Sequence, residues 1–208
     1  MNRYRSATYF LLGLGLLLPR FVTAQQQFNP GGTPAASTSA APSAYKPPVF
    51  KQRLLDYVDR SAGPVAEGGV ALQAAIAQRT GEPEAWGHGG NAYGKRFAWA
   101  WSANWIAEST RFAACESFRL DSTFRDRSPA GVAPRVRRAL ATAFLARTRS
   151  GKVIVSAPSI AAPYAGAFYS VNAWYPGTPT WKQGLKAGSI SLAMQPALNL
   201  LREFVFKH

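Results

Sequence analysis

The sequence predicts an all-α fold, a small helical bundle with Gly/Pro-rich loops, preceded by a signal peptide and a disordered linker. Three observations carry this. Apolar residues return at helical spacing in several segments, most clearly at Ile190, Met194, Ala197, Leu201 and Phe204. Breaker clusters such as Ser61-Ala62-Gly63-Pro64, Gly81–Gly94 and Tyr175-Pro176-Gly177 punctuate those segments. The stretch Val153–Trp181 contains no Asp, Glu, Lys, Arg or His and is flanked by basic residues. Its apolar area gains by leaving water, so it must be covered by protein or placed in lipid.

The organisation follows in order. Met1–Ala24 reads as a secretory signal peptide: Arg3 and Arg5 form a charged start and Ala7–Leu18 an apolar run. Val22-Thr23-Ala24 places small residues at a cleavage site. The apolar run is shorter than the roughly 20 residues needed to span a bilayer, so cleavage is expected rather than anchoring. Gln25–Pro48 is rich in Pro, Gly, Ser, Thr and Ala and reads as a disordered linker. Val49–His208 is the expected helical domain. The chain carries 24 Lys and Arg against 10 Asp and Glu, a formal charge of +14. Its single cysteine, Cys115, has no partner for an internal disulfide and reads as a small buried hydrophobe.

Within the domain, Phe50, Leu54, Tyr57 and Val58 predict a helix over Phe50–Arg60. A second follows from about Val65 to Arg79, although Gly68-Gly69 weakens its first turn. Gly81–Gly94 reads as a loop whose five glycines permit positive φ or close approach. It carries His88 near Glu82 and Glu84, but one histidine and two carboxylates do not make a recognisable metal set. Neither a metal nor any other cofactor is expected. Phe97–Phe118 predicts a helix apolar on most sides, central in a bundle or touching lipid.

Arg111–Lys152 is the electrostatic feature, with ten basic residues against Glu116, Asp121 and Asp126. From Pro134 a basic amphipathic helix is expected, with Val136, Leu140, Ala143 and Phe144 as its apolar stripe and Arg135 and Arg138 away from it. Arg135, Arg137, Arg138, Arg147, Arg149 and Lys152 are the candidate surface-binding residues. In the uncharged run, Val153–Val155 suits a short strand, and Ala161–Tyr175 a helix with Pro163 in its first turn. Ala161, Ala165, Gly166 and Ala167 allow close helix approach. Trp181–Phe206 predicts a long helix in which Gly184, Ala187 and Gly188 offer a second close-packing face. Pro196 is expected to kink it.

Four segments together resemble a family of uncharacterised secreted bacterial proteins. They are Asn91-Ala92-Tyr93-Gly94-Lys95-Arg96-Phe97, Ser156–Ile160, Ala173-Trp174-Tyr175-Pro176 and Arg202-Glu203-Phe204. The family pattern opens with Gly-x-Tyr-Gly-x-Arg-aromatic, continues through Asp-Pro-Arg-Tyr and Tyr-Tyr-Pro, and ends Glu-Phe-Trp-Pro-Asp. This chain has Asp121-Ser122-Thr123-Phe124 in the second place and lacks the final Pro-Asp. The resemblance implies class and compartment, not an activity.

No nucleophile elbow, His-Glu-x-x-His or Walker loop is present, so no catalytic residue is assigned. Glu108-Ser109-x-x-Phe112 and Ala193-Met194-Gln195-Pro196 look like fragments of a lytic transglycosylase, in which one Glu serves as general acid and base. Their separation is too long for that family, and Glu108 reads instead as a carboxylate satisfied by a neighbouring Arg. The function expected is that of an exported, non-catalytic envelope protein of the periplasm or outer envelope. It would associate with an anionic lipid or envelope polymer through its basic face, with self-association possible. Nucleic acid suits the charge but not the compartment. The alternatives are a peptidoglycan-cleaving enzyme using Glu108 and a soluble periplasmic partner-binding domain.

Overall fold

The computed structural model describes residues 45–122, 131–177 and 179–206. The expected signal peptide, and the linker as far as residue 44, lie outside them. Helix dominates: α1 (Phe50–Ala62), α2 (Pro64–Thr80), α3 (Gly90–Ser117), α4 (Val132–Ala141), α5 (Ala157–Trp174) and α6 (Trp181–Leu201). A 3-10 turn spans Glu84–Trp86 and a π-helical turn, Arg202–Phe206, follows α6. Strands β1 (Leu120–Asp121), β2 (Leu145–Thr148) and β3 (Val153–Val155) form an antiparallel sheet in that order. Asp121 pairs with Arg147, and Leu145 with Val155.

Pro64 opens α2, where its missing N–H costs nothing. Gly81 closes that helix at φ 70°, its N–H returning to the Ala77 carbonyl. The third helix begins at Gly90, earlier than the apolar pattern indicates, so the end of the glycine loop is helical. Its first turns carry Arg96, whose side chain is fully buried and reaches back to the carbonyls of Glu82, Pro83 and Gly87 in the preceding loop. Ser156 starts α5 at Ala157, where its hydroxyl accepts from the Ser159 N–H at 3.2 Å. Pro163 therefore lies inside this helix and not in its first turn.

The largest helix interfaces are α3 with α5, α5 with α6, and α2 with α3. The uncharged run thus supplies the middle layer of the bundle. Its core gathers Val70, Trp99, Ala100, Ala167, Val171 and Ala187. Small residues make the closest contacts. Gly184 of α6 lies against the Phe168 ring, Gly188 against Tyr164, and Gly166 against the Ala103 carbonyl.

This packing reverses several expected faces. Ile190, Leu201 and Phe204 of the predicted α6 stripe are exposed, as are Phe50, Leu54 and Val58 of α1. No Leu, Ile or Phe among the described residues is fully buried. Apolar periodicity locates a helix, but here the neighbours dock where small residues let backbones approach. The sheet is also wider than the single strand expected: β1 and β2 are too short for a period-2 pattern to stand out. Tyr45–Pro48, which composition places in the linker, meets the sheet. Tyr45 Oη donates to Asp121 Oδ2 at 2.5 Å, and the Tyr45 ring covers Gly151.

Candidate functional site

The structure divides the six candidate basic residues between α4, which carries Arg135, Arg137 and Arg138, and the β2–β3 hairpin, which carries Arg147, Arg149 and Lys152. Arg137, Arg149 and Lys152 are exposed; the other three are half-buried. Arg135 corrects the expected helix face. Its Nε lies 3.3 Å from Glu203 Oε1, its Nη2 donates to the Glu203 carbonyl, and its guanidinium sits 4.5 Å from the Phe204 ring centre. Ala139, not Leu140, is the buried residue of this helix. Asn199 of α6 reaches the Ala139 carbonyl at 3.4 Å and Thr142 Oγ1 at 3.3 Å. Docking on polar groups of α6 therefore turns Val132 and Leu140 outward. Arg147 lies 5.4 Å from the Tyr45 ring centre.

Arg135 is accordingly an anchor. Glu203→Gln is expected to remove the ionic part of its bond to a buried carboxylate and to lower stability by about 1–3 kcal/mol. Urea denaturation checks this, and an unchanged midpoint would return Arg135 to the free basic surface.

Arg96, Tyr175 and the Ser156–Ser159 pair are anchors too. The Arg96 guanidinium donates to the carbonyls of Glu82 (2.8 Å), Pro83 (3.2 Å) and Gly87 (3.0 Å) and to Gln78 Oε1 (2.5 Å). Tyr175 meets Trp86 edge-to-face at 5.8 Å and Trp99 at a tilt, 5.7 Å between ring centres. Burial, then the charge of Glu82, pushes its hydroxyl up to about 12. Ser156 and Ser159 share a buried hydrogen bond of 2.7 Å. Glu82 forms an ion pair with Lys186, and no three His, Cys, Asp or Glu side chains gather as a metal set among the described residues.

A second arginine group leaves no clear mark in the sequence. Arg53, Tyr57 and Arg60 recur along one side of α1 and meet the C-terminal half of α3. Tyr57 packs on Phe112 at 5.0 Å, and Arg53 grips Glu116 with both nitrogens of its fork, at 2.5 and 3.0 Å. Between the helices lies a small, partly open cavity lined by Arg53, Arg60, Arg111 and Cys115 among others. A neighbouring, partly open cavity shares Arg53 and Cys115 and adds Arg119 and Arg149. Burial, followed by the charges of Arg111 and Arg202, pulls Arg60 down to about 9, while Glu108 and Asp56 oppose this. Burial pushes the Cys115 thiol up. The spacing of Arg53, Tyr57 and Arg60 is the available signal, but Leu54 and Val58 draw the apolar stripe elsewhere.

Glu108 forms a salt bridge with Arg111, one turn on, as the sequence indicates, and its side chain is only 13 % exposed. Arg202 Nε lies 3.9 Å from Asp59. No helix among the described residues is long and apolar enough to cross a membrane. Comparison of the chain with protein-family models, with curated proteins and with solved structures gives no match.

Proposed function

We propose that this is an exported, non-catalytic envelope protein that lies on an anionic membrane surface. One observation carries the reading: large apolar side chains face outward beside unburied basic ones. On α4, Val132 is 67 % and Leu140 40 % exposed, and Arg137 neighbours Leu140 one turn away. On the hairpin strand, Val153 and Val155 are 44 % and 64 % exposed, next to Arg149 and Lys152. Lipid answers both chemistries, since head groups attract the cations and the acyl boundary takes the aliphatic side chains. An anionic wall polymer answers the charge alone. Exposed Trp101, Trp174 and Trp181 add rings of the kind that favour the head-group layer. The signal-like Met1–Ala24 segment and the likeness to secreted proteins support the compartment.

Vesicle co-sedimentation tests this. Binding is expected to anionic and not to neutral vesicles, and to weaken as salt rises. Each exposed cation near such a surface is worth about 1 kcal/mol. Arg137→Gln, Arg149→Gln and Lys152→Gln together should therefore weaken binding roughly a hundredfold. Arg135→Gln should instead lower the melting midpoint. Equal binding to neutral and anionic vesicles would remove the electrostatic claim. Failure to bind vesicles, with pelleting on purified wall polymer, would replace lipid as the partner.

A further inference from the structure

We infer that the cavity between α1 and the C-terminal half of α3 is a binding site for a small tetrahedral oxyanion of the phosphate type, held by the guanidinium groups of Arg60 and Arg111. Both side chains line the cavity. Arg60 makes no side-chain hydrogen bond or ion pair among the described residues. Arg111 is 7 % exposed and spends its Nη2 on Glu108, leaving its buried Nε without an acceptor. A buried donor without a partner is costly. A guanidinium keeps its charge at neutral pH, so the cost is not relieved by proton loss. The planar fork matches two oxygens of a phosphate; the half-buried Arg60 fork is the one open to such a ligand, and Arg111 adds a second positive charge to the wall.

The carboxylates on the same wall do not cancel this. Glu116 is held by the Arg53 fork, and Asp121 accepts from Tyr45. Glu108 and Asp56 act on Arg60 as opposite charges, but burial and the like charges of Arg111 and Arg202 outweigh them. The Cys115 thiol, kept protonated by burial, adds no negative charge. The site does not rest on the membrane reading, because Arg137, Arg149 and Lys152 are not in its wall.

The probe is inorganic phosphate, titrated calorimetrically into the full chain at low ionic strength. One-site binding is expected. Arg60→Gln should raise Kd at least tenfold, Arg60→Lys should fall between, and Arg79→Gln, at the exposed end of α2 and outside the cavity wall, should leave Kd unchanged. A soluble short-chain phosphatidic acid forms the second arm. Binding tenfold tighter than phosphate assigns the site to a lipid phosphomonoester, and equal binding assigns it to the free ion; either supports the oxyanion site. Absence of binding by both probes, or undiminished binding in a folded Arg60→Gln protein, overturns it. If that variant does not fold, the unmodified chain decides. Phosphate must raise its melting midpoint above that in chloride of equal ionic strength, and failure to do so also overturns the site.

Discussion

Arg96→Met is expected to lower stability by about 3–5 kcal/mol, because it strips four acceptors of their donors at once. The guanidinium is fully buried and is the hub that joins the end of α2, the Glu84–Trp86 turn and the start of α3. Methionine fills much of the same volume, so the loss comes from the carbonyls of Glu82, Pro83 and Gly87 and from Gln78, not from a cavity. It also removes a cation 5.9 Å from the Trp86 ring centre. Arg96→Lys should lose nearly as much, since an ammonium lacks the planar fork that reaches several carbonyls together. In a domain of this size the melting midpoint should drop by roughly 10 °C. Trp86 fluorescence should shift as the loop opens to water. A loss below about 1 kcal/mol would mean that water replaces the guanidinium at these carbonyls without penalty.

That hub shows what a sequence can reveal of such a fold. The helices were legible because apolar residues recur at 3.6-residue spacing over long segments, and Gly63-Pro64 and Tyr175-Pro176-Gly177 interrupt them. Their buried faces were less legible. The α6 stripe from Ile190 to Phe204 is the conspicuous one, yet α5 packs on Gly184, Ala187 and Gly188. Hydrophobic area and closeness of approach are different quantities, and in this bundle closeness decides which faces meet. Strands as short as Leu120–Asp121 leave no period to read, and only β3 stood out, through its run of β-branched residues.

The basic surface was legible as charge but not as geometry. Arg135 and Arg137 are two residues apart and face opposite chemistry, one gripping Glu203 and the other open to solvent. Nothing in local spacing separates them, because the acid that claims Arg135 comes from the far end of the chain. The same holds for Arg60. It reads as an ordinary solvated residue at the end of a short helix until α3 and the π-helical turn bring Arg111 and Arg202 toward it. Tertiary partners decide whether an arginine is an anchor, a free charge or a donor in search of an acceptor.

Gly166 is where closeness is most demanding, and a glycine series measures it. A Cβ built there would lie 2.2 Å from the Ala103 carbonyl oxygen and 3.0 Å from Ala107 Cβ. The oxygen belongs to the backbone of α3 and cannot swing aside, so α3 and α5 must separate along the largest interface in the fold. Gly166→Ala is expected to cost about 3 kcal/mol, at the upper end for overpacking, and Gly166→Val more. Cβ atoms at Gly184 and Gly188 would meet the rings of Phe168 and Tyr164, at 2.5 and 2.4 Å. Those are side chains and not backbone, so the rings and not the helices must shift, and alanine there should cost about 1–2 kcal/mol, less than at Gly166. A methyl group at Gly68, inside α2, would find nothing within 4 Å, so Gly68→Ala should stabilise by about 0.5–1 kcal/mol through helix propensity alone. Urea midpoints of the four variants should therefore fall in the order Gly68, Gly184 and Gly188 together, then Gly166. A Gly166→Ala protein as stable as the unmodified chain would show that α3 and α5 are not held at backbone contact, and the small-residue account of this core would fail.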